Sequence, residues 1–147
     1  MTQKEKCAEI SERCTVFNLR KASRAMTRMY DEDIAASGLR ANQFTMLVAV
    51  CLGAPARISR LAEILGTEKS TLSRNLTPLE RSGLIASTPG EDKRERRFTI
   101  TPKGEAVLEK AIPLWEQAQK RAVDGLGAER VRELLDDLSA ATEVAQR

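Results

Sequence analysis

Residues 69–75 read Lys-Ser-Thr-Leu-Ser-Arg-Asn, so two helical turns carry short polar and basic side chains. Arg74 has the fork to pair with guanine, Asn75 the amide to pair with adenine, and the Thr71 methyl can touch thymine. Lys69, Ser70 and Ser73 add groups that suit base edges or phosphates. A second basic group follows at Lys93, Arg94, Arg96 and Arg97, interleaved with Glu91, Asp92 and Glu95. The narrow minor groove of a duplex has a strongly negative potential that attracts an inserted arginine. Lys93, Arg94 and Arg96 are candidate DNA contacts, one arginine making that insertion, while Asp92 pairs within the wing to hold another arginine in place and Arg97 is a further orienting candidate. These side chains suit the reading of a duplex and not the making of bonds.

The rest of the composition agrees. The chain has no histidine, which removes the commonest general base and the commonest transition-metal ligand. Its cysteines, Cys7, Cys14 and Cys51, show no metal-ligand spacing, and no phosphate-cradling glycine loop or nucleophile–base pair is recognisable. No catalytic residue, metal or cofactor is therefore expected. Charge is concentrated in the middle: residues 57–104 hold ten Lys and Arg against six Asp and Glu. Residues 1–56 hold eight against six, and residues 105–147 six against nine. A basic centre with a net-acidic end suits a DNA-reading core flanked by another function.

These groups need elements to hold them. Val16, Leu19, Ala22, Met26, Met29, Tyr30 and Ile34 recur at helical spacing, predicting a long helix that ends at Ser37-Gly38. A second helix is expected over Asn42–Leu52, with Phe44, Leu47, Val48 and Cys51 on its buried side. Ser59 is a plausible N-cap for a short helix closed by Gly66, and Thr67 opens the next, whose apolar positions are Leu72, Leu76 and Leu79. Pro78 inside that helix is expected to bend its last turn. Leu84–Thr88 and Arg96–Thr101 read as strands joined by a Pro89-Gly90 turn and a charged tip. Thr101-Pro102 is a helix start, and the long helix after it is followed by a last one beyond Gly127. The predicted class is mainly α with a small two- to three-stranded β wing, a winged helix-turn-helix between terminal helices.

The first helix and the last two carry apolar faces that nothing else in the chain can cover, so a twofold homodimer is expected. The expected organisation is one integrated domain: 1–38 and 102–147 serve dimerisation, and 39–101 form the DNA-binding lobe. No apolar run is long enough for a membrane span, and the N-terminus is charged where a signal peptide needs an apolar core. A cytoplasmic protein with no membrane partner is expected. A competing reading keeps the winged helix but makes it a protein-interaction module, its wing charges serving solubility alone.

The segment STLSRNLTPLERSGLI, the wing signature Asp92-x-Arg94 and the exit Thr101-Pro-Lys-Gly104 together resemble the MarR family of regulators over nearly the whole chain. The resemblance implies a homodimeric repressor on a pseudo-palindromic operator in double-stranded DNA, with Arg94 as the wing arginine and Asp92 as its orienting carboxylate. It also implies a small-molecule effector, aromatic or phenolic in type, between the dimer helices and the DNA-binding lobe. Arg20, Arg24 and Arg28 are candidate anion partners there, beside Met26, Tyr30, Phe44 and Leu47. One branch of the family, the organic-hydroperoxide-resistance regulators, senses peroxide through a cysteine early in the first helix. Cys14 followed by SRAMTRMY is similar to it, although Cys14 and Tyr30 lie 16 residues apart and the branch's second tyrosine is absent near Asn42–Phe44. Thiol-based sensing through Cys14 thus stands as an alternative to ligand relief.

Overall fold

The computed structural model describes residues 1–92 and 94–147. Its helical N-terminal part begins earlier than the Val16 periodicity suggests. A capping box of Thr2 and Glu5 opens α1, Gln3–Arg13. At Cys14 the backbone turns extended, and α2, Thr15–Ile34, follows. The Asn18 side-chain amide spans this break, donating to the carbonyls of Ser11, Glu12 and Cys14, so the end of α1 is not left unpaired. A 3₁₀ turn at Ala35–Ser37 and a left-handed Gly38 then reverse the chain.

Helix α3, Ala41–Gly53, starts where the Asp31 carboxylate accepts the Ala41 N–H at 2.7 Å. Its buried face is Phe44, Met46, Leu47, Ala49 and Val50, whereas Cys51, expected inside, is exposed. A two-residue strand β1, Ala56–Arg57, leads directly into α4, Ile58–Leu65. The helix therefore opens from Arg57, and Ser59 lies inside it instead of capping it. Gly66, at φ 60, closes α4 in the left-handed region where glycine carries no steric penalty.

Helix α5, Lys69–Arg81, is opened by Glu68 and not by Thr67, and it runs through Pro78 to Arg81. Leu72, Leu76 and Leu79 fix it to the core, each no more than 1% exposed. Strands β2, Ile85–Pro89, and β3, Arg96–Ile100, form the antiparallel wing, with Ser87 opposite Phe98 and Pro89 opposite Arg96. β1 pairs with the other edge of β3, giving three strands in the order β1-β3-β2. Phe98 is buried on the face turned to the helices.

The Thr101 hydroxyl accepts the Gly104 N–H at 3.0 Å and donates to the Gly83 carbonyl at 2.6 Å. One side chain thus caps α6, Pro102–Leu126, and fastens it to the end of α5. Gly104 packs so closely on the wing that a Cβ there would lie 2.0 Å from the Leu84 carbonyl oxygen. Helix α7, Ala128–Ala145, completes the chain. Small residues, Ala111, Ala118 and Ala122, are buried along α6, which packs against α2 through the Tyr30–Gln119 hydrogen bond and the Arg121–Asp33 ion pair. Among the described residues no helix is long and apolar enough to cross a membrane.

Candidate nucleic-acid interface

Burial of Leu72, Leu76 and Leu79 leaves the opposite face of α5 to solvent. Lys69, Ser70, Ser73 and Arg74 are exposed, and Thr71 and Asn75 are half-buried at its edges. Beside the helix a cleft of about 210 Å³ is lined by Lys69 and Ser73 from α5, by Arg57 to Ser59 from the start of α4, and by Arg94 to Arg96 and Phe98 from the wing. Two basic groups some twenty residues apart in sequence thus converge on one concave surface. Arg57, which sequence reasoning passed over, belongs to the same surface. Its guanidinium pairs with Glu95 at 3.1 Å, so one wing carboxylate is neutralised within the lobe.

The wing tip is folded by its own backbone. Asp92 accepts the Arg94 N–H on its carboxylate at 3.1 Å and the Glu95 N–H on its carbonyl at 2.9 Å, and Gly90 N–H donates to the Glu95 carbonyl at 2.6 Å. Asp92 therefore orients the backbone that carries Arg94; the expected pairing with a guanidinium is not formed. Arg94 is exposed and has no ion-pair partner among the described residues. Lys93, expected beside it as a DNA contact, lies outside the described residues. Arg97, expected to help orient the tip, is half-buried and also has no ion pair among the described residues.

Arg96 is the clearest departure from expectation. Its Nη2 donates to both Glu80 oxygens, at 2.7 and 2.9 Å, and to the Ser87 hydroxyl, while the guanidinium lies 5.4 Å from the centre of the Phe98 ring. Ser87 in turn donates to Glu80 Oε1 at 2.6 Å. The hydrogen bond from Ser87, then those from Arg96 and its charge, hold the Glu80 carboxyl below its ordinary value despite some desolvation. Arg96, expected as a DNA contact, is thus also tied through Nη2 to a carboxylate on α5 and a hydroxyl on β2. Neither partner carries a sequence signal: Glu80 and Ser87 look like solvated polar residues until the sheet forms.

A second cavity, of about 560 Å³, opens between α2, α3 and α6, lined by Met26, Thr27, Tyr30, Ile34, Ala41, Asn42, Phe44, Thr45 and Trp115. The Phe44 and Trp115 rings stack with centroids 6.4 Å apart and planes 18° from parallel. The Tyr30 hydroxyl donates to Gln119 at 2.6 Å, and burial, followed by the nearby Asp33 charge, raises its pKa above 10.0, so the phenol is neutral. Met26, Tyr30 and Phe44, candidates from the sequence, line this cavity. Arg20 and Arg24 do not: they flank a separate depression with Leu19 and Ser23, because they project from a different stretch of α2. Leu47 is fully buried in the core behind the cavity. Among the described residues no charged side chain lines the cavity.

Cys14 is half-buried at the α1–α2 break. The length of α2 puts Tyr30 about 24 Å from it at 1.5 Å per residue, so Tyr30 of the same chain is out of reach of the Cys14 sulfur. Cys7 and Cys51 are exposed.

Known proteins share this arrangement. A family model described as the MarR family matches residues 37–95. The M. tuberculosis transcriptional regulator MosR, solved in complex with DNA, is 35% identical; the match covers 91% of this chain and 99% of that one, at a TM-score of 0.79. CouR, a transcriptional repressor solved on a 23-mer DNA duplex, is 25% identical over 90% of this chain and 94% of its own, at a TM-score of 0.80. AbsC, a MarR-family transcriptional regulator from Streptomyces coelicolor, is 25% identical over 99% of this chain and 97% of its own, at 0.75. These relatives are transcriptional regulators, not enzymes.

Proposed function

The chain belongs to the MarR family of DNA-binding transcriptional regulators, and from that premise we propose that it is a homodimeric repressor whose hold on a pseudo-palindromic operator is released by a small ligand. The observation that carries the reading is the convergence of Lys69, Ser73 and Arg94 on one exposed concave face. Arg74, Asn75, Ser70 and Thr71 enter the major groove with α5, and Arg94 enters the adjacent minor groove. Two copies place their recognition helices one duplex turn apart, about 34–36 Å. An operator on chromosomal DNA also places the protein's work in the cytoplasm.

The dimer is supported by apolar side chains left in the open on the terminal helices: Ile10, Val16, Phe17 and Leu19 near one end, Leu134, Leu135, Leu138 and Val144 near the other. Burying such faces against a second copy stabilises by about 25 cal/mol per Å². The ligand site is the cavity over Phe44 and Trp115. With stacked aromatic rings and no charged lining among the described residues, it favours an uncharged aromatic molecule over the carboxylate that arginine partners would have held.

A gel-shift titration on duplexes selected by this protein from a random-sequence pool tests the reading. Affinity is expected to fall steeply as salt rises, because released counterions accompany each phosphate contact. Arg94→Ala is expected to weaken binding about tenfold with the dimer intact, in line with loss of one well-placed contact of about 1–3 kcal/mol. Binding that ignores both salt and this substitution would instead favour a protein-interaction module.

A further inference from the structure

We propose that Glu80, Ser87 and Arg96 are positioning residues for DNA reading: together they lock the wing to the last turns of α5 and set the angle at which Arg94 is presented. The inference rests on the reading that Arg94 enters the minor groove. Glu80 lies on α5, Ser87 on β2 and Arg96 at the first residue of β3, so one cluster joins three elements. A single atom, Arg96 Nη2, contacts both Glu80 oxygens and the Ser87 hydroxyl, and Ser87 closes the triangle by donating to Glu80. Phe98, buried beneath the guanidinium and opposite Ser87 in register, gives the cluster a rigid floor.

This anchor is two residues from Arg94. The intervening Glu95 is held from the other side by Arg57, and the tip is folded on Asp92. The base of the Arg94 backbone is therefore tied to the helix that carries Lys69 and Ser73. Half-exposed ion pairs add little stability, at most about 1 kcal/mol each, so this cluster acts mainly through orientation. A carboxylate on the DNA-reading lobe would otherwise repel phosphate. Here its charge is offset by the Arg96 guanidinium.

Charge and clamp predict opposite signs for Glu80→Gln. If charge alone mattered, removing one negative charge and freeing Arg96 would tighten binding to the selected duplex. The clamp predicts that Glu80→Gln weakens it about fivefold to tenfold, and that Ser87→Ala weakens it about twofold to threefold. Arg96→Lys, which keeps the charge but ends one bond short of Nη2 and has no planar group to lie over Phe98, should bind about as poorly as Glu80→Gln. In combination with Arg94→Ala, Glu80→Gln should cost nothing further, because both act through one contact. The thermal midpoint and oligomeric state of each variant are measured alongside. Equal or tighter binding by Glu80→Gln, full activity in Arg96→Lys, or additive losses in the double variant overturns the clamp. Loss in Arg94→Ala with none in Glu80→Gln removes the clamp alone; no loss in Arg94→Ala removes the minor-groove reading beneath it.

Discussion

The lobe built from α3 to β3 and the helices at the two chain ends are made of similar amounts of leucine, valine and isoleucine, yet they use them differently. In the lobe Leu47, Leu61, Leu72, Leu76, Leu79 and Ile85 are all at most 1% exposed. Helix α1 buries nothing and α7 buries only Val131, while Leu134, Leu135 and Leu138 stay open. The lobe closes on itself because three helices and a sheet meet around one point. Helices α1 and α7 leave most of their apolar stripes open to solvent. Burial within the chain is thus concentrated in the lobe, and the ends leave apolar surface open.

That contrast can be broken by substitution. Leu76→Ala is expected to cost about 2–5 kcal/mol in urea unfolding, since the site is sealed and cannot collapse. Gly104→Ala should cost about 1–3 kcal/mol or more, because the new methyl meets the Leu84 carbonyl and must push α6 off the wing. It would show in the thermal midpoint and, through the displaced wing, in DNA affinity. Leu135→Ala makes the opposite case: little change in the lobe's unfolding, but a weaker dimer by about tenfold in sedimentation equilibrium, if the open stripe faces a second copy. Equal stability losses for Leu76→Ala and Leu135→Ala would erase the distinction.

The two candidate sites differ in the same way, one charged and open, the other aromatic and uncharged. Trp115 is the sole tryptophan and lines the cavity, so its emission reports binding there alone. Benzamide is expected to quench it at about tenfold lower concentration than its charged isostere benzoate, a difference of about 1.4 kcal/mol. Stronger binding of benzoate would point to a cation reaching the cavity. The smallest effect concerns acid. Glu80 has its carboxyl held below 4.5 in the folded state, so its contribution is fully present above the unfolded carboxylate's value and is lost as pH falls through the lowered one. Wing anchoring should therefore be constant from neutral pH down to that range and then weaken, and Glu80→Gln should flatten this part of the stability profile.

Much of this was legible in advance where the signal was local. The periodicity of α2 and α3, the Thr101-Pro102 start and the glycine that closes α4 depend on neighbours within a turn or two. β1 escaped because two residues cannot display an alternation; pairing with β3 makes Ala56–Arg57 a strand. Ser59 and Thr67 look equally good as caps, and the structure opens α4 two residues before Ser59, from Arg57, and α5 one residue after Thr67, from Glu68. Of the cavity candidates, the structure brings Met26, Tyr30 and Phe44 together and leaves Arg20 and Arg24 apart from them, because helical register alone does not say which stretch of a long helix faces which neighbour.

By itself the sequence determined the helices, the wing, the basic centre and the exposure of Arg94, since each follows from spacing, composition or a turn. Only the tertiary structure decided that Arg96, and not Arg94, is ion-paired among the described residues. Arg94 and Arg96 are two residues apart and chemically the same, but Arg96 meets Glu80, 16 residues away along the chain, and Ser87, nine away. Such a meeting depends on how a sheet docks on a helix, and no local preference of the chain encodes it.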